Sequence, residues 1–217
     1  MISTVTRRIF NVFSTKCGIE TMAPSEEELS ALTLCDLADA LRSGKISAAE
    51  TMKTTLARIE RLDPHLNAFI WRNGKRAMAR AEEADAARLR GDELGPLHGV
   101  PLAHKDMFYR PGRPSSCGSL IRREFQGRET ATVLRSLDQA GAIEVGTLAM
   151  VEFAMGPHGY NGHLPRCRNC WDFERIPCGS SSGSGTAVAG RLVYGALGSD
   201  TGGSIRCPAA ANGITGM

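Results

Sequence analysis

The sequence predicts an α/β protein built on a parallel sheet. A short apolar stretch at 100–104 precedes an amphipathic helical stretch at 129–140, and a second apolar stretch follows at 142–145. Strand, helix and strand in this order are typical of a βαβ unit, whose two strands lie parallel in one sheet. The 217 residues suffice for a domain with its own core, and a hydrophobic content of 42% is ordinary for a globular protein.

Three amphipathic helices are predicted before the first strand. The first two each begin at a Ser or Thr with an acidic residue three positions later, the arrangement of a capping box. The first and third are expected to end at a glycine, which readily adopts the left-handed conformation of a helix C-cap. The second is expected to end at Asp63–Pro64, because proline disfavours helical geometry in the residue before it. With their caps, the predicted spans are 33–44, 47–64 and 75–91.

Two Gly/Ser-rich loops dominate the last quarter of the sequence. An irregular stretch at 155–178 leads to the first loop, at 179–185. A small-residue helix at about 184–192 and a strand at 193–197 lead to the second, at 198–204. Glycines permit positive φ angles and let several backbone N–H groups point at one place, where they bind an anion. That anion is either a phosphate or a transient oxyanion.

Two familiar arrangements fit these loops poorly. Neither loop is followed by the Lys-Ser or Lys-Thr of a phosphate-binding P-loop. Gly179-x-Ser181-x-Gly183 matches the nucleophile elbow of α/β-hydrolases, in which the histidine base follows the serine in sequence. All five histidines of this chain precede Ser181. We therefore interpret the elbow match as accidental, and a serine nucleophile here needs a different base.

Lys105 is the remaining candidate for that base. A serine hydroxyl is a weak nucleophile unless a neighbour takes its proton, and a lysine can do so when burial lowers its pKa. Lys105 ends an apolar strand, which suits a buried position. A surface lysine in a solvated ion pair with Asp106 fits the same residues. The local sequence leaves both interpretations open.

Three stretches together resemble the amidase signature family: GPLHGVPLAHKD at 95–106, CGSSSGSGTAVA at 178–189 and GSDTGGSIRCPAA at 198–210. The resemblance extends from about residue 28 to residue 217 and rests on the order and spacing of the motifs. It implies an α/β/α sandwich with a mixed, largely parallel central sheet. Residues 28–217 would be the N-terminal part of a single domain of this family, truncated after the nucleophile loop. Residues 1–27 would be a disordered or misassigned extension.

The resemblance implies a Ser–Ser–Lys triad. Ser204 would be the acyl-accepting nucleophile and Ser180 the bridging serine, with a cis peptide bond. Lys105 would take a proton from Ser180 and later return one to the leaving amine. Backbone N–H groups would form the oxyanion hole, at Thr201, Gly202, Gly203 and Ser204. Support for the loop would come from Asp200, Arg206 and Ser181, although Asp200 fits a plain loop cap equally well.

The implied reaction is hydrolysis of an amide carbon–nitrogen bond through an acyl-enzyme. The substrate would be a small-molecule amide. An alternative within the same fold is the glutamine-hydrolysing component of a tRNA-dependent amidotransferase, and a third interpretation is an inactive fragment. The expected partners are a second copy in a homodimer or the other amidotransferase subunits. The resemblance implies no metal and no organic cofactor.

Composition favours a cytoplasmic protein. The net charge of +3 comes from mixed acids and bases, so direct nucleic-acid binding is not expected. No apolar run approaches the roughly 18 residues of a membrane span. Seven cysteines, an odd number without a secretory signal, indicate reduced thiols. A zinc site is disfavoured because the spacing of its candidate ligands is loose: His158, His163, Cys167, Cys170 and Cys178.

Two departures from the family pattern affect these expectations. Cys178 stands where the family commonly has a glycine, and family members are considerably longer. We therefore expect an unfinished sheet with an exposed strand edge. At the other end, residues 1–19 are basic without acids and resemble a transit peptide. A disordered or wrongly assigned extension is the favoured interpretation, and Met1 and Met22 both remain candidates for the true start.

Overall fold

One four-stranded sheet forms the centre of the structure, a computed structural model that describes residues 24–217. Its order is β1-β3-β2-β4. β2 is parallel to both β3 and β4, whereas β1 is antiparallel to β3. The predicted α/β fold with a mixed, largely parallel sheet is therefore confirmed. The strands are β1 (Phe69–Arg72), β2 (Pro101–Lys105), β3 (Ile143–Leu148) and β4 (Gly195–Leu197).

Seven α-helices lie within the described residues: α1 (Glu26–Ala31), α2 (Leu34–Arg42), α3 (Ala48–Leu66), α4 (Gly74–Arg90), α5 (Thr132–Gln139), α6 (Ser182–Ala189) and α7 (Arg206–Asn212). The three predicted N-terminal helices are confirmed as α2, α3 and α4. Thr33 caps α2 by accepting the N–H of Asp36, and Gly91 follows α4 in the left-handed conformation. None of these helices is long and apolar enough to cross a membrane.

The predicted end of the second helix is wrong, because α3 runs through Asp63–Pro64 to Leu66. Pro64 lies in the last turn, where it removes only one backbone hydrogen bond. The helix ends instead at Asn67, which takes the left-handed conformation with φ 53°. The buried carboxylate of Asp63 then accepts the N–H groups of Ala68 and Phe69 at 2.8 and 3.2 Å.

Three of these helices and strands, α1, β1 and α7, were not predicted from the sequence. β1 has only four residues, too few for a clear alternation, and it pairs with β3 through a register irregularity. α7 follows the second Gly/Ser loop directly and contains Pro208. The predicted extension at 1–27 lies mostly outside the described residues, and its last two positions begin α1.

The apolar core lies where the N-terminal helices pack on the sheet. Its fully buried members come from α2, α3, β3 and the segments that flank the strands: Leu37, Met52, Ile59, Val100, Val145, Leu148 and Leu192. Burying one such side chain contributes about 1.5–3 kcal/mol. This core fixes β2 and β3, and with them the position of Lys105.

Candidate active site

The parallel register brings the two Gly/Ser loops to the end of β2. His104 of β2 pairs with Leu197 of β4, so Lys105 lies beside the start of the loop 198–204. The first loop is anchored near the end of β3, where the Gly183 N–H donates to Ala149 O at 2.9 Å. The predicted motifs thus meet at the C-terminal edge of the sheet, where open α/β sheets bind their ligands.

Lys105 is fully buried, and its amine contacts three serine hydroxyls. Its Nζ lies 2.7 Å from Ser180 Oγ, 3.0 Å from Ser181 Oγ and 2.8 Å from Ser199 Oγ. Burial lowers the pKa of Lys105 to about 8, and negative charge at Asp200 or Cys117 works in the opposite direction by favouring the protonated amine. The structure therefore excludes the solvated ion pair with Asp106 and leaves a buried lysine whose pKa lies well below that of a free lysine.

The first loop holds Ser180 rigidly against the end of β3. The Gly179–Ser180 peptide bond is cis, the conformation that the resemblance implies for this serine. Ser180 O accepts the N–H of Val151 at 3.1 Å, and Gly179 N–H donates to Pro157 O at 2.7 Å. Ser180 and Ser181 are both buried, at 0% and 1% exposure. Their hydroxyls are thereby held facing Lys105.

Asp200 organises the second loop. Its Oδ1 accepts the Gly203 N–H at 2.7 Å, and its Oδ2 accepts the N–H groups of Ile205 and Arg206 at 3.0 and 3.1 Å. The Arg206 guanidinium adds two further bonds and holds the pKa of Asp200 below its usual range. Asp200 is thus both a loop cap and the partner of Arg206, so the two interpretations left open by the sequence are compatible.

This arrangement changes the predicted set of oxyanion-hole donors. The N–H of Gly203 already donates to Asp200 Oδ1 at 2.7 Å. Within residues 24–217 no acceptor engages the N–H groups of Thr201, Gly202 and Ser204. The three open N–H groups lie on an exposed turn, and Gly203 adopts a φ of 119° that favours glycine. The structure therefore leaves three of the four predicted donors open.

Ser204 is brought beside the first loop through its backbone. Ser204 O accepts the N–H of Ser181 at 3.2 Å, and the residue is half-buried. Its hydroxyl forms no hydrogen bond with Ser180 in the described part of the chain. The contact between Lys105 and Ser180 is thus formed, whereas the contact between Ser180 and Ser204 is not.

One further group around Lys105 was not identified from the sequence, and a second, Asp106, has a different role from the ion pair considered there. Ser199 is a direct partner of the amine, and only the pairing of β2 with β4 places it there. Asp106 is buried, and its Oδ2 accepts both the N–H of Ser116, at 3.0 Å, and the Ser116 hydroxyl. Burial raises the pKa of Asp106 despite these bonds. Asp106 therefore fixes the turn that carries Cys117, a neighbour of Lys105.

No histidine contacts the serines. Within the described residues, the histidine side chains are bonded elsewhere or form no hydrogen bond: His98 contacts Ala84 O, and His104 contacts Lys105 O and Arg113. The elbow interpretation, which needs a histidine base, receives no support from this geometry. In residues 24–217 no group of three or more His, Cys, Asp or Glu side chains is placed to hold a metal. Cys167 is buried against Thr186, and burial raises the pKa of its thiol to about 12.

A charged cluster lies on the other face of β2. Because side chains alternate along a strand, His104 faces away from Lys105 and towards Glu144 of β3. Glu144 Oε2 lies 2.7 Å from Arg110 Nε and 3.0 Å from Arg113 Nη2. Burial alone would raise the pKa of Glu144. The hydrogen bond from His104 and the positive charges around the carboxylate outweigh this effect and lower the pKa to about 2. This cluster supports the strand that ends at Lys105.

Cys178 occupies a left-handed conformation with φ 58°, which accounts for the glycine common at this position in the family. We expect Cys178→Gly to raise the free energy of unfolding by up to about 1 kcal/mol, since relief of strain outweighs the greater entropy of an unfolded glycine. Chemical denaturation measures this. Cys178→Ala, which keeps a Cβ, is the control and should give no gain; an equal gain in both variants would contradict the backbone explanation.

Comparisons with known proteins show which family the chain belongs to. The model of the family described as Amidase matches residues 50–217. A glutamyl-tRNA(Gln) amidotransferase subunit of Halorhodospira halophila is 47% identical over 185 residues, which are 85% of this chain and 38% of the relative. The corresponding protein of Pseudomonas aeruginosa is 47% identical over 189 residues, covering 87% of this chain and 39% of the relative.

Solved structures show the same similarity. The peptide amidase of Stenotrophomonas maltophilia is 36% identical, with a TM-score of 0.78 over 84% of this chain and 39% of that one. A fatty acid amide hydrolase is 25% identical, with a TM-score of 0.82 over 87% of this chain and 33% of that one. The chain thus spans about two fifths of the length of the curated relatives it matches.

Proposed function

We propose that this chain, which belongs to the amidase signature family, carries the base and the nucleophile of an enzyme that hydrolyses amide bonds. One observation carries the proposal: a fully buried lysine amine lies 2.7 Å from the hydroxyl of Ser180, in the motif order of this family. Residues 28–217 would be the N-terminal part of a single domain. We also propose a cytoplasmic location, with the described cysteines as free thiols.

The proposed chemistry begins with proton transfer from Ser204 to Ser180 and from Ser180 to Lys105. Ser204 Oγ attacks the amide carbonyl carbon, and the open N–H groups of the second loop stabilise the oxyanion. One such donor is worth about 3–4 kcal/mol in the transition state. The carbon–nitrogen bond then breaks, and the proton held by Lys105 passes to the leaving amine. Water hydrolyses the resulting ester on Ser204, with Lys105 again as the base.

The substrate is proposed to be a small-molecule amide. A second candidate is glutamine, hydrolysed on behalf of a tRNA-dependent amidotransferase. The identity of 47% to relatives named as glutamyl-tRNA(Gln) amidotransferase subunits favours this candidate over other amides. Its test is glutamine-dependent amidation of Glu-tRNA in the presence of the other amidotransferase subunits. Hydrolysis of simple amides without glutamine-dependent amidation would favour the first candidate, and a homodimer would then replace those subunits as the expected partner.

The central test uses a fluorophosphonate probe, which labels activated serine nucleophiles. Because the chain spans 38% of the Halorhodospira halophila relative, we would test both the chain and a chimaera that continues it with the rest of that relative. Ser204→Ala is expected to reduce labelling and amide hydrolysis by about 10³-fold or more, since the nucleophile is lost. Ser184→Ala is the control, because its hydroxyl bonds only Leu197 O, at 3.0 Å.

The outcomes separate the three interpretations. Labelling of the chain and the chimaera, lost in Ser204→Ala alone, supports the proposal. Labelling of the chimaera only would mean that the chain is inactive by itself, as in the fragment interpretation. Labelling that persists undiminished in Ser204→Ala would contradict the assignment of the nucleophile.

A further inference from the structure

The amine of Lys105 has as many hydroxyl partners as an ammonium has hydrogens. Ser180, Ser181 and Ser199 lie at 2.7, 3.0 and 2.8 Å from Nζ, so the protonated form is fully satisfied. A neutral amine has two hydrogens and one lone pair. One of the three hydroxyls must then donate to nitrogen instead of accepting from it. The identity of that hydroxyl determines where the proton goes.

Ser181 cannot be that hydroxyl while its present bonds persist. Its O–H donates to Ser199 O at 3.3 Å, and its Oγ accepts the Ser199 N–H at 3.3 Å in addition to the hydrogen from Lys105. The proton of Ser181 is therefore directed away from Nζ. Ser181 is held as an acceptor in both protonation states of the lysine.

Ser199 completes the arrangement from the opposite loop. It follows β4, whose pairing with β2 fixes its backbone, and its mutual bonds with Ser181 fix it further. We propose that Ser181 and Ser199 are positioning residues that hold two hydrogens of the neutral Lys105 amine, so that its lone pair faces Ser180 alone. This inference rests on the proposed function, in which Ser180 passes the proton, and it assigns to Ser199 a role that the motifs do not.

The other charged and titratable groups near Lys105 form no hydrogen bond with its amine. Asp200, in the loop after β4, acts on Lys105 through its charge. Cys117, in the loop after β2, would do so only as a thiolate, and burial raises the pKa of this thiol. The Asp106 carboxylate is bonded to Ser116, and His104 faces Glu144. From α6 and the loop before it, only the serines reach the amine. The two positioning hydroxyls should therefore have a measurable effect of their own.

The test is a pH titration of Lys105 by NMR in protein labelled with ¹³C at lysine Cε, without substrate. The chain has five lysines, so Lys105→Met assigns the signal. The wild-type midpoint is expected at about 8. Ser181→Ala and Ser199→Ala should each lower it by about one unit, because the ammonium needs three acceptors and the neutral amine only two. Ser199→Thr should restore it, and Ser184→Ala should leave it unchanged.

A purely structural role would give a different pattern. In that case Ser199→Ala would lower the melting temperature but leave the midpoint within about 0.2 unit of wild type, and the inference would be overturned. If Ser199→Ala fails to fold, Ser181→Ala tests the same geometry from the first loop. In the chimaera, both variants should lower kcat with little change in KM. The titration needs no turnover, so its outcome is independent of whether Ser204→Ala abolishes hydrolysis.

Discussion

Replacing Lys105 with methionine is expected to slow amide hydrolysis and fluorophosphonate labelling by about 10²–10⁴-fold. Methionine fills a similar volume but cannot accept a proton, so Ser180 would lose the group that draws the proton from it. The three serine hydroxyls around Nζ would also lose their common donor. The measurement is the rate of labelling of the chimaera, with Lys75→Met on the exposed face of α4 as the matched control.

The same substitution should change how stability depends on pH. A folded-state pKa of about 8, against 10.5 for a free lysine, means that the unfolded chain binds more protons between these values. Wild-type stability should therefore rise with pH in this window, relative to Lys105→Met. We expect the difference in unfolding free energy between the two proteins to change by about 2–3 kcal/mol from about pH 7 to about pH 10.

Chemical denaturation at several pH values measures this difference. Other groups that titrate in the same window contribute to both proteins, so the subtraction isolates Lys105. Parallel stability curves would show that the buried amine titrates as it does in the unfolded chain. That result would leave Lys105 without the neutral form that the proposed proton transfer requires.

The sequence could name candidate residues for this site, but it could not predict all of the contacts among them. Lys105, Ser180 and Ser204 were identified from the order and spacing of motifs, and the structure joins the first two directly. Ser199 was missed because its contact with Lys105 depends on the pairing of β2 with β4, which joins residues far apart in the chain. The bond from the Gly203 N–H to Asp200 is local by contrast, since it spans three residues, and the sequence had left a loop-capping role for Asp200 open.

The fold shows the same division between local and distant causes. The starts of α2 and α3 were predictable because Thr33 and Ser47 cap them through bonds three residues away. β1 was not predictable from its four residues, because it is a strand only through its pairing with β3. A helix cap depends on residues a few positions apart, so it can be predicted from a short stretch of sequence. An edge strand such as β1, or a contact such as that of Ser199 with Lys105, depends on partners far away in the chain.

Glu144→Gln is expected to lower the free energy of unfolding by about 3–5 kcal/mol, because it removes the carboxylate partner of the buried Arg113 and one of the two carboxylate partners of Arg110. The Glu144 side chain is 12% exposed, so solvent screens these charges weakly. Asp138→Asn is the matched control: Asp138 also bonds Arg110, but it is 41% exposed, and its loss should matter by at most about 1 kcal/mol.

The pH dependence provides an independent check of Glu144. Its pKa falls from 4.5 to about 2 on folding, so its contribution is present above about pH 4.5 and is lost as the pH falls through about 2. Acid denaturation of wild type and Glu144→Gln should therefore converge at low pH. If the two curves stay equally far apart throughout, the charge of Glu144 is not what stabilises the cluster. The cluster spans β2 and β3 behind Lys105, so its loss should also broaden the Lys105 signal and slow labelling.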